Sequence, residues 1–493
     1  MTIAVSALLL AAFLSHDTRV ATHMSATSPN APVARVLRHL VDDLRKSRLM
    51  PAADQAAVET FYRKRGFSPL WIADGQMTDR ARGAIECLGD ADAEGLRSAD
   101  YAIAELARDA DAKALARAEL GLTRAVLAYA HDAAIGRVPY DRVSSEIAYQ
   151  PQPFGRLAAL ERVAEAKDAA ETLRSFNPTH AGYRALKRQL SEYRAALVKA
   201  KGVKPRSSGS VSEASRLESV VRTIVANMER WRWMPRDLGA DHVMVNIPDF
   251  TLKIVRADAA VWTTKVVVGD PLSPTPITSA DMTSITLNPI WNIPKSIVEK
   301  EYLTAIGDEL ERMDRLGIRS ARSADGSLHV YQLPGEWSAL GQVRFNFPNK
   351  FAVYQHDTPE QYLFARKSRA FSHGCIRVEK PLIYAQALLA IVAPERDYSA
   401  ERIYGLLGGD EFNIELPKAM PVHLTYQTAF VDDAGKLQLR DDIYGHDQRL
   451  LAASMRAPAS NVAQTPEKPP VVAKGLLVRM ADWLDRQRHR LGV

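Results

Sequence analysis

The sequence is poor in cysteine, because its 493 residues contain only Cys87 and Cys375. Two thiols exclude the multi-bridge framework of a disulfide-rich domain and a multi-cysteine zinc site. No dense Lys/Arg block interleaved with aromatic residues occurs either, although 64 basic residues exceed 58 acidic ones. Nucleic acid is therefore not expected as a partner. A mildly basic chain suits an anionic polymer, but this charge also fits many cytosolic enzymes.

Long apolar runs are scarce as well, and a short one lies at residues 3–14 (IAVSALLLAAFL). It has the length of a signal-peptide core and is too short to span a bilayer comfortably. No basic residue precedes it, since Thr2 follows Met1 directly. We expect residues 1–32 to be a leader for export, with a buried N-terminal helix as the alternative. No later stretch is apolar enough to be expected in a membrane.

The remaining chain predicts an α+β protein, with a helical N-terminal domain followed by a β-rich domain. Apolar residues recur at helical spacing throughout residues 33–200. A Pro/Gly/Ser linker follows at 201–212 (KGVKPRSSGSVS), and then a helix at 213–233. Beyond it, β-branched and alternating segments predict strands, and a later apolar segment predicts a helix at 381–392. The predicted strands lie at 242–246, 251–255, 262–268, 285–287, 329–331, 343–345, 352–354 and near 422–431.

The tail, residues 448–493, has a different composition: a Pro-rich linker followed by an amphipathic helix. One face of that helix is apolar and the other carries arginines. Two roles are open for it, docking back on the protein and contact with a membrane surface or a protein partner.

Cys375 is the residue that most strongly indicates chemistry. A structural cysteine usually has apolar neighbours, as Cys87 has within a predicted helix at 79–88. Cys375 instead lies in the segment 372–377 (SHGCIR), among polar groups that are unfavourable to bury without partners. Cationic neighbours favour the thiolate, which is the attacking form. We therefore predict that Cys375 is a nucleophile and that Cys87 is structural.

A nucleophilic thiol needs a base, and two histidines are candidates. His373 would share the face of Cys375 on an extended chain, about 7 Å along it. His356 ends a predicted strand and precedes a turn at 357–359 (DTP). Placing a base and a nucleophile at the ends of neighbouring strands is a common way to build a dyad, which makes His356 the better candidate. Spacing alone does not exclude His373.

Other residues near the thiol suit substrate binding. Gly374 allows close backbone approach, so its amide and that of Cys375 are candidates for stabilising an oxyanion. Arg377 offers a fixed charge for a carboxylate. Tyr354 lies two residues before His356 on the same strand face, where it could contact substrate. Ser372 and His373 complete the candidate binding residues.

The fifteen-residue spacing between His356 and the SHGCIR segment resembles the catalytic motif of L,D-transpeptidases of the YkuD fold. The likeness is to a large periplasmic branch whose members carry an N-terminal scaffold domain, and it favours His356 as the base. It places the catalytic region at 213–447, with a YkuD-like core at about 240–395. Further matching segments lie at 61–71, 92–96, 229–235, 246–250, 266–270, 274–276, 288–294, 347–349, 356–359 and 441–445.

This resemblance implies a periplasmic enzyme that links the stem peptides of peptidoglycan. Cys375 would attack the carbonyl after the third stem residue, diaminopimelate, and expel D-Ala. His356 would act as acid and base, with its tautomer set by the backbone carbonyl of Asp357. A diaminopimelate amine of another stem would then resolve the acyl-enzyme. No metal or organic cofactor is implied, and carbapenems are expected to acylate the same thiol.

The resemblance leaves three other functions open. An L,D-carboxypeptidase would use water as the acceptor, and an attachment transferase would use a wall protein. A wall-binding scaffold without catalysis would need neither His356 nor Cys375. One feature of the branch is missing, because residues 201–212 are too short to be the small peptidoglycan-binding module that many members carry there.

Overall fold

The computed structural model describes residues 30–47, 50–150, 152–201, 212–298, 313–322, 326 and 328–456. The expected leader falls almost entirely outside these residues, as do most of the expected linker and the C-terminal helix. Among the helices so described, none combines the length and apolarity needed to cross a membrane.

The chain forms two compact units. Of the residues described above, the first unit contains those up to 89, 99–129 and 155–173, and the second contains those at 90–98, 130–154 and from 174 onward. Segments 130–154 and 174–201 thus group with the sheet-bearing unit by their contacts, although the sequence suggested a helical domain over 33–200. The domain bounds given above stay a prediction.

The first unit is mainly helical. Three apolar residues of its first helix, Val33, Leu37 and Val41, are buried at helical spacing. Its elements are α1 (Ala31–Asp42), α2 (Leu44–Ser47), α3 (Ala52–Lys64), β1 (Ile72–Ala73), β2 (Gln76–Met77), α4 (Asp79–Gly89), most of α5 (Ala112–Ile135), α6 (Arg156–Glu165) and most of α7 (Ala169–Arg174).

A buried carboxylate organises the turn that precedes β1. Glu119 on α5 is fully buried, and its oxygens accept hydrogen bonds from the backbone N–H groups of Leu70 (2.6 Å), Trp71 (2.8 Å) and Ile72 (3.1 Å). The Tyr62 hydroxyl on α3 donates a fourth bond at 2.8 Å. Burial raises the pKa of Glu119. Because four donors converge on one side chain, this carboxylate fixes segment 70–72 against two helices.

The second unit is built on a closed sheet. The strands follow the order β11-β12-β14-β6-β5-β4-β15-β7, and β11 also pairs with β7, so the path returns to its start. A closed sheet leaves no free edge along this path. The strands are β3 (Ile147–Ala148), β4 (Asp241–Asn246), β5 (Thr251–Arg256), β6 (Ala259–Gly269), β7 (Ile277–Leu287), β8 (Trp291–Asn292), β9 (Ile318–Arg322), β10 (Leu328–Gln332), β11 (Val343–Asn346), β12 (Gln355–His356), β13 (Ala370–Ser372), β14 (Ile376–Val378), β15 (Phe412–Thr425), β16 (Ala429–Val431) and β17 (Leu437–Leu439).

The remaining strands extend or accompany the closed sheet. β3 pairs with β7, β13 pairs with β6, β8-β10-β9 form a three-stranded sheet, and β16 pairs with β17. The helices of this unit are α8 (Ala181–Lys201), α9 (Glu213–Trp233), α10 (Lys295–Ile297), α11 (Pro381–Val392), α12 (Ala400–Tyr404) and α13 (His446–Arg456). The α+β class is confirmed, and so are the predicted helices at 213–233 and 381–392.

One predicted strand is wrong. Residues 352–354 are not a strand, and the strand β12 begins at Gln355. Ala352 has a left-handed backbone (φ 53°), which a strand does not accommodate. The Asn349 amide donates to the carbonyls of Phe347 and Val353, both at 2.7 Å, and so closes a turn immediately before the site. The strand predicted near 422–431 is divided between the end of β15 and β16, with a break at residues 426–428. The other predicted strands are confirmed, several with longer bounds.

Candidate active site

Strand register brings the two ends of the motif together. β12 and β14 run parallel, with His356 opposite Arg377, and the Ile376 N–H donates to the Tyr354 carbonyl at 3.0 Å. Cys375 is therefore level with Tyr354, one position before the paired residues. His356 and Arg377 are paired and so point to one side, as does Tyr354, whose ring faces that of His356, and we infer the same for Cys375, two residues before Arg377.

The neighbouring strand adds a guanidinium to this face. Arg344 of β11 is paired with His356, which places both side chains on the same side of the sheet. The Arg344 guanidinium lies 5.7 Å from the centre of the Tyr354 ring, and the Tyr354 and His356 rings are also 5.7 Å apart. The face thus carries an imidazole, a phenol and two guanidinium groups around the thiol.

The tautomer of His356 follows from its hydrogen bond. Its Nδ1 lies 2.5 Å from the carbonyl oxygen of Asp357. A carbonyl oxygen only accepts, so Nδ1 carries the proton and Nε2 keeps the basic lone pair. Burial, and the charges of Arg377 and Arg344, lower the pKa of His356 to about 3. The imidazole is therefore neutral at ordinary pH.

Asp357 acts in this geometry through its backbone, and its own side chain holds that backbone in place. The carboxylate accepts from the N–H groups of Gln342 (2.9 Å) and Thr358 (2.7 Å), and burial raises its pKa. A Cβ on Gly341, whose φ is +59°, would come within 2.4 Å of this carboxylate, so the neighbouring turn requires glycine.

The thiol of Cys375 is half-buried and protonated at neutral pH. Burial raises its pKa to about 11, against the opposing effects of hydrogen bonding to Tyr354 and the charge of Arg377. Burial also raises the pKa of the Tyr354 hydroxyl. The pair at rest is thus a thiol beside a neutral imidazole, and not a thiolate–imidazolium ion pair.

The chain turns sharply just before the thiol. Gly374 has φ +114°, a conformation that side-chain-bearing residues rarely adopt. The Ser372 hydroxyl accepts from the Gly374 N–H at 3.2 Å and donates to the Cys375 carbonyl at 2.5 Å. This turn interrupts the extended geometry that would place His373 on the thiol's face, and the His373 side chain is exposed.

The backbone N–H of Cys375 is available to a ligand. In the part of the chain described above, it donates to no backbone carbonyl, whereas the Gly374 N–H is engaged by Ser372. Of the two amides considered for an oxyanion, the geometry therefore favours that of Cys375.

The two arginines on this face differ in their partners. Arg377 forms an ion pair with Glu360, and both side chains are largely buried. Arg344 donates to the Asn346 side-chain oxygen at 2.8 Å and, among the described residues, pairs with no carboxylate. The sequence reasoning identified Arg377 and missed Arg344 and Glu360. The only signal for Arg344 was a charged residue between two apolar ones in a predicted strand.

No donor set for a metal is found among the residues whose placement is described, since no three His, Cys, Asp or Glu side chains cluster suitably. Cys87 lies on α4 and is 1% exposed, as predicted for a structural cysteine. Both cysteines are free thiols.

Two families of known domains match this chain. Residues 56–190 match the scaffold domain, and residues 240–394 match the L,D-transpeptidase catalytic domain. A curated relative from Haemophilus influenzae, named "Putative L,D-transpeptidase", is 29% identical over 259 residues. That alignment covers 49% of this chain and 51% of the relative, so the chain spans about half the length of this relative.

Solved structures give weaker likenesses. An L,D-transpeptidase from Mycobacterium smegmatis matches with 12% identity and a TM-score of 0.20, over 38% of this chain and 58% of that one. The catalytic domain of the Enterococcus faecium L,D-transpeptidase matches with 14% identity and a TM-score of 0.18, over 38% of this chain and 96% of that one. The assignment therefore rests on the two domain matches, whose second range includes His356 and Cys375. The chain contains an L,D-transpeptidase catalytic domain of the YkuD type, preceded by a scaffold domain.

Proposed function

We propose that this protein is a peptidoglycan L,D-transpeptidase that works through an acyl-enzyme on Cys375. The observation that carries the proposal is the fixed tautomer of His356. The Asp357 carbonyl occupies Nδ1, so the basic Nε2 is left for the thiol on the adjoining strand. Such a pair, in an L,D-transpeptidase domain, suits acyl transfer without a cofactor.

Proton transfer accompanies attack in this mechanism. The pKa of about 11 for Cys375 and of about 3 for His356 keep the proton on sulfur at rest. As the sulfur approaches the carbonyl carbon, His356 Nε2 takes its proton, and the charge leaving sulfur moves to the carbonyl oxygen. The Cys375 N–H is placed to stabilise that oxyanion.

The bond changes then balance over two steps. In the first, a C–S bond forms, the C–N bond to D-Ala breaks, and His356 gives its proton to the leaving amine. In the second, the side-chain amine of a diaminopimelate on another stem attacks the thioester and loses a proton to His356, which returns it to the leaving thiolate. Water in the second step would make the enzyme an L,D-carboxypeptidase.

Substrate contacts follow from the charges on the face. Stem peptides carry carboxylates, and Arg344 has no acidic partner among the described residues, whereas Arg377 is paired with Glu360. We assign the substrate carboxylate to Arg344 and a supporting role to Arg377. Tyr354 and His373 flank the thiol as further candidate contacts, and Ser372 holds the turn.

The proposed setting is the periplasm, where peptidoglycan is the partner. Binding to glycan without a peptidoglycan-binding module would fall to the catalytic cleft or the scaffold domain. Contact of the C-terminal helix with a membrane or protein lies outside the described residues.

Mass spectrometry of products tests the proposal. The full chain is incubated with purified disaccharide-tetrapeptide, beside Cys375→Ala and, as the matched control, Cys87→Ala. We expect dimers joined through diaminopimelate from the wild type and from Cys87→Ala, and none from Cys375→Ala. Tripeptide alone would indicate a carboxypeptidase. Equal products with and without Cys375, or no turnover by any form, would contradict the transpeptidase.

A further inference from the structure

Two buried hydroxyl groups hold the loop that carries the nucleophile. The Thr275 hydroxyl donates to the Gly374 carbonyl at 2.8 Å and accepts from the Gly269 N–H at 2.8 Å. The Tyr444 hydroxyl donates to the Gly269 carbonyl at 2.6 Å and accepts from the Thr275 N–H at 3.2 Å. We call these two side chains the hydroxyl pair. Together they satisfy both backbone groups of Gly269 and fix the carbonyl immediately before Cys375.

The bond to the Gly374 carbonyl determines where the next N–H points. In a trans peptide the C=O and N–H directions are opposed. The Gly374 carbonyl faces Thr275, so the N–H of Cys375 in the same peptide unit faces away from it. That N–H is the group assigned to the oxyanion. Glycine has more backbone freedom than any other residue type, so without the bond to Thr275 the Gly374 backbone, which has φ +114°, could rotate.

The surroundings of the hydroxyl pair are closely packed. Thr275 is fully buried, and Tyr444 is nearly so. A Cβ on Gly269 would approach the Ser273 carbonyl oxygen to 2.1 Å, so segment 273–275 packs directly on the backbone of β6. The Asp270 N–H, immediately after β6, donates to the Ser372 carbonyl at 2.9 Å, which ties the end of β6 to the start of the turn that precedes Cys375.

We infer that Thr275 is a positioning residue for acyl transfer, which holds the Gly374–Cys375 peptide with its N–H toward the developing oxyanion. Tyr444 supports it by holding Thr275 and Gly269. This inference rests on the proposed function, and it assigns a use to the segments at 274–276 and 441–445. Valine is the informative replacement at 275, because it keeps the shape of threonine and removes only the hydroxyl. Serine keeps the hydroxyl and removes only the methyl group.

The experiment compares two reactions of the same thiol in the full chain, in a Cys87→Ala background so that Cys375 is the single cysteine. Acylation by imipenem passes through an oxyanion, whereas alkylation by iodoacetamide does not. Both adducts are followed by intact mass. Thr275→Val should slow acylation about a hundredfold, the usual effect of losing one oxyanion donor, and leave alkylation within about threefold. Thr275→Ser should restore the acylation rate, and Tyr444→Phe should slow acylation less than Thr275→Val does.

The outcomes distinguish a failure of the positioning role of Thr275 from a failure of the proposed acyl-enzyme. Equal acylation by Thr275→Val and its parent would overturn the positioning role alone. A parallel fall in acylation and alkylation, not rescued by serine, would also overturn it, because it would indicate general damage to the site. A parent protein that forms no adduct with imipenem but is alkylated normally would contradict the proposed acyl-enzyme, and this inference with it.

Discussion

The protonation state of the proposed dyad, His356 and Cys375, can be tested by the pH dependence of thiol alkylation. Burial raises the pKa of Cys375 to about 11 and lowers that of His356 to about 3. Between these values both groups are neutral. The rate with iodoacetamide should therefore rise about tenfold for each pH unit across the neutral range, because only the thiolate reacts. An ion pair would instead give a plateau at neutral pH.

The expected alkylation rate of Cys375 at pH 7 follows from the same pKa. At pH 7 the thiolate fraction of Cys375, with a pKa of about 11, is about one in ten thousand, against about 3% for a free thiol. That is a deficit of about 300-fold. A more basic thiolate is also more nucleophilic. With a Brønsted exponent of about 0.45, this raises the rate constant of the thiolate roughly tenfold and offsets part of the deficit. Cys375 should thus react about 20- to 30-fold more slowly than the cysteine of a short unstructured peptide, whose pKa is about 8.5, in the same buffer.

The measurement uses the full chain with Cys87→Ala, over about pH 5 to 10, with the adduct quantified by intact mass. His356→Asn serves as the companion variant. A neutral imidazole contributes no charge to the thiolate, so this substitution should leave the shape of the profile unchanged. A plateau at neutral pH that disappears in His356→Asn would refute the neutral dyad. Alkylation faster than that of the peptide cysteine at pH 7 would refute it as well.

Two further predictions concern charged side chains. Arg344→Gln should raise the KM for the tetrapeptide donor tenfold or more with a smaller change in kcat, since a charge-assisted hydrogen bond contributes about 1.5–3 kcal/mol. The exposed Arg256→Gln is the control, and steady-state kinetics showing an unchanged KM for Arg344→Gln would remove Arg344 from substrate binding. In the first unit, Glu119→Gln should lower the free energy of unfolding by about 1–3 kcal/mol. One carboxylate oxygen of Glu119 accepts from the N–H groups of Trp71 and Ile72, and the amide nitrogen of glutamine at that place cannot accept from them. Urea unfolding measures this, with the exposed Glu105→Gln as reference, and equal stability of the two variants would show that Glu119 does not fix segment 70–72.

The sequence predicted those parts of the site that are local. Cys375 was identified from its own polar neighbours, and the helix after it, Pro381–Val392, from a largely apolar segment. The helix Glu213–Trp233 was predicted from its amphipathic pattern, and the structure adds Ser212 as its cap. Each of these features depends on residues within a few positions of one another.

The choice between His356 and His373 could not be made from spacing. His373 would share the face of Cys375 only if the chain were extended, and the turn at Gly374 prevents that. His356 reaches the site through the parallel pairing of β12 with β14. The register of two strands is set by packing over the whole sheet, so the local sequence does not encode it.

The supporting residues were beyond prediction for a similar reason. Thr275 and Gly374 are 99 positions apart, and Tyr444 and Gly269 are 175 positions apart. A side chain that bonds a distant backbone group leaves no periodic pattern in the sequence. Both segments drew attention only through resemblance to a family, which indicates that they matter without indicating how.

A neutral dyad and a fixed amide together suggest how one thiol can be both selective and durable. A low-pKa thiolate reacts with oxidants and stray electrophiles as readily as with substrate. Cys375, with its pKa raised to about 11, is protected from both at rest, which matters for a thiol without a disulfide partner in an oxidising compartment such as the proposed one. Its reactivity then depends on a substrate whose carbonyl oxygen reaches the Cys375 N–H, because only there does the negative charge leaving sulfur find a partner. On this reasoning, loosening the Gly374–Cys375 peptide should impair acyl transfer without making the thiol more vulnerable to peroxide. If Thr275→Val instead accelerated oxidation of Cys375 by hydrogen peroxide, the hydroxyl pair would be shielding the thiol and not only orienting the amide.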